Sequence, residues 1–97
     1  MAFRQGEIKH NFYQQGAVQS LGFVDRRGRE MTVGVLLPGN YDFGEAQRAE
    51  EIFVTSGELI AREMSFISGG RFSLKFKKGE KIEFQCADTV SYICFYD

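Results

Sequence analysis

Leu36-Leu37-Pro38-Gly39-Asn40-Tyr41-Asp42-Phe43 and, a short loop later, Ala49-Glu50-Glu51-Ile52-Phe53-Val54-Thr55-Ser56-Gly57-Glu58-Leu59 are the stretches of this chain that say most about its fold. The Pro38-Gly39 pair marks a turn, because proline fixes φ and glycine adopts backbone conformations closed to other residues. Beyond it, Tyr41 and Phe43 are two residues apart. In a strand successive side chains point to opposite faces, so both rings are expected on one face, pointing inward. Ile52–Thr55 is a second apolar run, entered through Glu50 and ended by the turn residues Ser56–Glu58.

The same alternation of turns and short apolar runs extends in both directions. Turn residues cluster at Asp25–Arg29, Pro38–Asn40, Ser56–Glu58, Ser68–Gly70, Lys77–Lys81 and Ala87–Thr89. Between them lie Val18–Phe23, Met31–Leu37, Ile52–Thr55, Leu59–Met64, Arg71–Phe76, Ile82–Cys86 and Val90–Tyr96. Many short strands at regular spacing predict an all-β sandwich or closed barrel, and closure removes aggregation-prone strand edges. Phe72, Leu74 and Phe76 are expected on one face, against Arg71, Ser73, Lys75 and Lys77. Ile82, Phe84 and Cys86 share a face opposite Lys81, Glu83 and Gln85. The last strand is apolar on both faces, which suits a strand covered on both sides, with a second subunit as one candidate cover. Its inward set is open from sequence: Tyr92, Cys94 and Tyr96, or Ile93 and Phe95. Only Ala46–Glu51 looks locally helical, and it is too short and polar to be more than a turn. Residues 1–12 read as a flexible arm or an edge strand.

Ninety-seven residues make one domain, and a chain of this size buries roughly 60–68% of its unfolded surface. A formal net charge of −1 gives no bulk electrostatic case for nucleic acid or an anionic membrane. No apolar stretch approaches the ~20 residues that span a bilayer, so the expected location is the cytoplasm. Ten Phe and four Tyr without a Trp are many rings for the length, and aromatics favour strands. Cys86 and Cys94 lie in strand-like text outside any C-x-x-C unit. With His10 the lone histidine, no zinc set of the usual spacing is complete; buried thiols are the expected state of the two cysteines, with a disulfide as the alternative.

The two quoted stretches resemble the first cupin motif, in which a Pro-Gly turn leads into H-x-H and then to a Glu shortly before a Gly turn. Glu50 and Gly57 keep that last spacing, while Tyr41 and Phe43 occupy the two histidine positions. The second cupin motif ends P-x-G-x-x-H. Its counterpart is Lys77-Lys78-Gly79-Glu80-Lys81-Ile82, with Ile82 in the histidine position and Lys77 in place of the proline. One carboxylate among two rings and an aliphatic chain cannot hold a first-row metal, which needs several converging N, O or S donors. The expected fold is a single-domain cupin-type (jelly-roll) β-barrel with no metal, which disfavours metal-dependent oxygenase or isomerase chemistry.

An aromatic-lined interior with one carboxylate suits an organic ligand. Tyr41 and Phe43 can stack on a planar base or pack on a sugar face, and Glu50 can accept hydrogen bonds from hydroxyls or ring N–H groups. The competing reading is that the rings simply fill a small barrel, although a buried carboxylate then still needs a partner. For an anionic ligand the candidates are Arg26, Arg27 and Arg29, next to Thr32, against the reading of Asp25–Arg29 as a solvated hairpin loop. Lys75, Lys77, Lys78 and Lys81 read as exposed strand-face lysines that deter edge pairing.

Taken together, Gly16–Phe23, Thr32–Val35, Pro38–Phe43, Glu50–Gly57 and Ser91–Tyr96 resemble, in order, the bacterial pyrimidine/purine nucleoside phosphorylase family of small metal-free cupins. The loop between Phe43 and Glu50 is one residue longer than is typical of that family, and Lys75–Lys81 is richer in lysine. The resemblance implies phosphorolysis of purine and pyrimidine nucleosides to free base and α-ribose 1-phosphate, with inorganic phosphate as co-substrate, broad base tolerance, no cofactor and a homodimer. On that basis Glu50 is assigned to catalysis, through the ribose hydroxyls or the charge of an oxocarbenium ion. Tyr41, Phe43, Ile82, Phe84 and Tyr92 are assigned to the nucleoside, and Arg29 and Thr32 to phosphate. The alternatives are a non-catalytic cupin-like domain that binds or senses a small molecule, and a structural barrel with a solid interior.

Overall fold

Apolar residues at alternate positions, interrupted by glycine turns, leave each strand one face to bury, and among the described residues ten short strands do so by packing two sheets face to face. The computed structural model describes residues 7–97; the expectation of an arm at residues 1–6 lies outside them. The strands are β1 (Ile8–Tyr13), β2 (Val18–Val24), β3 (Glu30–Leu36), β4 (Gly39–Glu45), β5 (Glu50–Ser56), β6 (Glu58–Ala61), β7 (Met64–Ile67), β8 (Leu74–Phe76), β9 (Lys81–Cys86) and β10 (Val90–Tyr96). One sheet has the order β1-β2-β3-β10-β5-β8 and the other β4-β9-β6-β7. All ladders are antiparallel. The fold is the cupin-type jelly roll, with its strands in two sheets rather than one continuous hydrogen-bonded ring.

Register lines up the inner face of the larger sheet in rows, and these grade from apolar to polar. One row is Tyr13, Val18, Leu36 and Val90; the next is Asn11, Ser20, Gly34, Tyr92 and Val54. Then come Lys9, Gly22, Thr32, Cys94, Ile52 and Leu74, and lastly Tyr96, Glu50 and Phe76. At the apolar end Val18, Leu36, Leu59 and Val90 are almost completely buried, and Tyr41 and Cys86 join them in the core. Both Cys86 and Cys94 are free, buried thiols.

Several local expectations change in three dimensions. Leu59–Met64 is not one strand but the start of a hairpin: Arg62 and Glu63 form a two-residue turn with positive φ (55° and 61°) between Ala61 and Met64. Such turns normally carry Asn or Gly, and their absence hides this one from sequence. Phe72 does not share the inward face of Leu74 and Phe76; it is 65% exposed, because β8 pairs with β5 over three residues only, from Leu74 onward. Ala46–Ala49 is a bend and not helical, and Glu50 and Glu51 already belong to β5. Backbone bonds from Ala46 N–H to Glu80 O and from Gly79 N–H to Ala46 O, both 2.8 Å, tie this bend to the β8–β9 turn. The segment Ile8–Tyr13 is an edge strand.

The outer face of the six-stranded sheet carries Leu21, Val33, Val35, Phe53, Ile93 and Phe95, the residues alternating with the inward set. Leu21, Val35 and Phe53 are 43%, 42% and 41% exposed in the single chain. No helix is long and apolar enough to cross a membrane among the described residues.

Candidate active site

The polar rows open into a cavity of about 440 Å³, within the ~300–1,000 Å³ typical of small-molecule sites. The larger sheet supplies one wall through Asn11, Tyr13, Ser20, Thr32, Glu50, Tyr92, Cys94 and Tyr96. Phe43 of β4 and Ile82 and Phe84 of β9 supply the other, and Lys9, Val18, Glu30, Glu45, Ile52 and the bend Ala46–Arg48 complete the lining. A bulge re-aims β4 at this point. The register shifts between Asp42 and Glu45, Gly44 takes φ +75°, and its N–H donates to Asp42 Oδ1 at 2.8 Å. Bulges bend strands in this way beside functional sites.

Glu50 is half-buried in the polar wall. Burial raises its pKa above the ordinary carboxylate range, since desolvation disfavours the charged form; a hydrogen bond from Cys94 and the charge of Arg48 partly oppose the shift. The Cys94 thiol donates to Glu50 Oε1 at 3.8 Å. That thiol is itself pushed up to about 12, by burial first and the Glu50 charge second, so it stays protonated at neutral pH. The Tyr92 and Tyr96 hydroxyls are also pushed upward by burial and remain protonated. Tyr96 Oη and Thr32 Oγ1 are 3.3 Å apart, and Asn11 Nδ2 donates to Ser20 Oγ at 3.2 Å. The wall thus presents neutral donors and acceptors around one titratable carboxyl.

Arg48 brings a cation to the same cavity. Its Nη1 lies 3.3 Å from Glu30 Oε1, its Cζ sits 4.8 Å from the Tyr96 ring centroid, and its Nε is buried with no hydrogen-bond partner among the described residues. Sequence reading misses Arg48 because a lone Arg in a polar loop has no period or motif. Asn11, Ser20 and Tyr96 are missed for a related reason, since each is one polar residue in a strand whose neighbours across the sheet are unknown until the register is.

Of the residues singled out from sequence, Glu50, Phe43, Ile82, Phe84, Tyr92 and Thr32 meet at this cavity. Tyr41 does not line it. Its ring stacks beneath Phe43 at 5.9 Å between centroids, and its hydroxyl donates to Leu37 O at 2.6 Å within the apolar end. Arg29 also stands apart. Its guanidinium covers the Phe95 ring at 4.1 Å and lines a second depression of about 310 Å³ with Lys75, Lys77 and Asp97. The cupin ligand positions hold two aromatic rings (Tyr41, Phe43) and an aliphatic side chain (Ile82), a donor set that does not fit a metal ion. Among the described residues no group of three or more His, Cys, Asp or Glu side chains converges.

A family model described as pyrimidine/purine nucleoside phosphorylase matches residues 8–96. A pyrimidine/purine nucleoside phosphorylase of Vibrio parahaemolyticus is 36% identical over 95 residues, covering 92% of this chain and 97% of that protein. Among solved structures, a Vibrio parahaemolyticus protein of unknown function superposes with a TM-score of 0.81 at 35% identity, over 95% of this chain and all of the other. A cupin-2 domain from Rhodospirillum rubrum, with a TM-score of 0.67 at 11% identity over all of this chain and 74% of that one, shares the fold alone.

Proposed function

The chain belongs to the pyrimidine/purine nucleoside phosphorylase family, and from that premise we propose that it cleaves purine and pyrimidine nucleosides with inorganic phosphate, without metal or cofactor. The observation that carries this reading is a carboxyl (Glu50) and a guanidinium (Arg48) in one aromatic-lined cavity. A phosphate oxygen attacks C1′ on the face opposite the base and the C1′–N bond breaks. The departing base keeps that electron pair and takes a proton, leaving α-ribose 1-phosphate. Phe43, Phe84 and Tyr92 would pack on base and sugar, and Ile82 fills the wall between them. Glu50, as carboxylate, would hold ribose hydroxyls and offset the positive charge that builds on the ring, where preorganised electrostatics act most strongly.

Arg48 is the phosphate anchor in this scheme, with Thr32 beside it and Arg29 in the adjoining depression. Its one-third exposed side chain gives an incoming oxyanion a charge-assisted donor. Arg48→Met is expected to raise KM for phosphate about tenfold or more, since a hydrogen bond to a charged group contributes roughly 1.5–3 kcal/mol. KM for the nucleoside should move much less. Equal changes in both would remove Arg48 from the phosphate site.

Base tolerance follows from stacking, because every base offers a π-face. The decisive assay follows base release from uridine, inosine and adenosine with and without phosphate. Release that requires phosphate and survives a chelator supports the proposal. Release without phosphate indicates a hydrolase, and nucleoside binding with no release returns the non-catalytic reading. We further propose a cytoplasmic homodimer in which a second copy covers the apolar outer face of the larger sheet, since contiguous exposed apolar patches mark interfaces. Val33, which pairs with Leu21 and Ile93, is central to it. Val33→Lys is expected to halve the mass found by sedimentation equilibrium, and an unchanged mass would move the interface elsewhere.

A further inference from the structure

The edge strand β1 is the least conspicuous wall of the cavity, yet it contributes a side chain that can discriminate among ligands. Asn11 lines the cavity, half-buried, directly across the ladder from Ser20. The row continues through Gly34 to Tyr92. Gly34 keeps this row open: a Cβ there would stand 2.5 Å from Tyr92 Cζ and Oη, so the missing side chain lets the Tyr92 ring lie across the sheet toward Ser20. Asn11 Nδ2 donates one hydrogen to Ser20 Oγ at 3.2 Å. A carboxamide has two N–H donors and a carbonyl acceptor. One donor is engaged, and one donor and the acceptor remain side by side.

The carboxyl of Glu50 and the guanidinium of Arg48 occupy a different part of the same cavity, with Lys9 in the row next to Asn11. Glu50 and Tyr96 fall two rows further along the sheet from Asn11, and Arg48 stacks on Tyr96. The phosphate and the sugar carbon under attack belong to that charged side, so the neutral row faces the remaining part of a nucleoside. We infer that Asn11 is a specificity-determining residue that reads the edge of the nucleobase through its carboxamide, held in place by Ser20. The inference rests on the nucleoside reading above and deepens it. An adjacent donor and acceptor is a feature that the bases share: N3–H and O4 of uracil, N1–H and O6 of hypoxanthine, the exocyclic N–H and a ring nitrogen of adenine or cytosine. Asn is suited to paired contacts of this kind. One amide therefore recognises a base as a base without choosing among them, and rejects a ring whose edge is blocked.

The test compares uridine with 3-methyluridine, in which the N3–H donor is replaced by a methyl group, by equilibrium dialysis and by phosphate-dependent base release. The intact chain is expected to favour uridine about tenfold or more, the value of one or two net hydrogen bonds. Asn11→Leu, similar in size, should bring that ratio near unity while KM for phosphate and the melting temperature stay close to those of the parent. Asn11→Asp keeps the acceptor for N3–H and loses the donor to O4, a contact that both nucleosides share, so it should preserve the uridine preference while weakening both nucleosides about threefold. Asn11→Ala, which removes both contacts, is the informative variant if the leucine form fails to fold. An unaltered uridine preference in the folded Asn11→Leu or Asn11→Ala variant overturns the assignment. If the intact chain binds uridine with this preference but releases no base, the proposed reaction fails and edge reading stands. If it binds neither nucleoside, both fall.

Discussion

Glu50→Gln is expected to lower kcat for phosphorolysis about a hundredfold, the scale on which single preorganised electrostatic contacts to a transition state act, and at the same time to raise the melting temperature at neutral pH. Both effects have one cause. Glu50 sits half-buried beside Cys94 and Arg48, and burial raises its pKa in the folded chain. The folded state therefore binds more protons than the unfolded state between the ordinary glutamate value and the raised one. Stability consequently falls as pH rises through that interval, and the deficit persists above it. Glutamine carries no such deficit. Melting curves of parent and variant should converge near pH 4 and separate toward neutrality, with the variant the more stable. The acidic limb of the parent pH–rate profile should lie above the ordinary carboxylate range, and it should vanish in the variant. Unchanged turnover in Glu50→Gln would remove this residue from the mechanism. A melting difference that ignores pH would show that the carboxyl is not desolvated.

Gly57→Ala is expected to cost about 3 kcal/mol of stability, a large fraction of what a domain of this size possesses. Gly57 has φ +79°, where a residue with a Cβ pays roughly 1–2 kcal/mol. The Cβ would also stand 2.3 Å from Thr89 O and 3.1 Å from Val90 Cα. These are backbone atoms beside a completely buried valine and cannot swing aside as a side-chain tip would. Overpacking of this kind adds roughly 1–3 kcal/mol. The β5–β6 turn is pressed against the β9–β10 turn here, where Ser91 Oγ bonds to Thr55 Oγ1 at 2.6 Å and to Ser56 Oγ at 2.5 Å. Urea or thermal unfolding measures the loss. A change below about 0.5 kcal/mol, ordinary for surface positions, would mean that the two turns are not locked together. Gly28→Ala is the matched control, since it also has positive φ (+80°) but nothing within 4 Å of its Cβ.

Gly57 and Glu50 show how much of this protein can be read from text. Their spacing, with the Pro38-Gly39 turn and the alternation of Tyr41 and Phe43, suffices to identify an all-β cupin-type domain and to place a carboxyl in its interior. The inward set of Ile82, Phe84 and Cys86 is legible too, because strand geometry has a period of two and one face must be buried. The same rule misleads at Phe72, where the strand begins two residues later than the pattern. It is silent on the last strand, whose two apolar faces carry no contrast. There the pairing decides that Tyr92, Cys94 and Tyr96 point inward.

What the sequence by itself determined is the class of the fold and the family. Each of these depends on residue identity and short-range spacing. Only the tertiary structure decided that Tyr41 is core while Phe43 lines the cavity, although they share one face of one strand. It likewise separated Arg29 from the cavity and brought Arg48 and Asn11 into it. The physical reason is that parity along a strand fixes which face a side chain takes. How deep it lies between the sheets, and what it meets there, depends on the register of strands far apart in the chain.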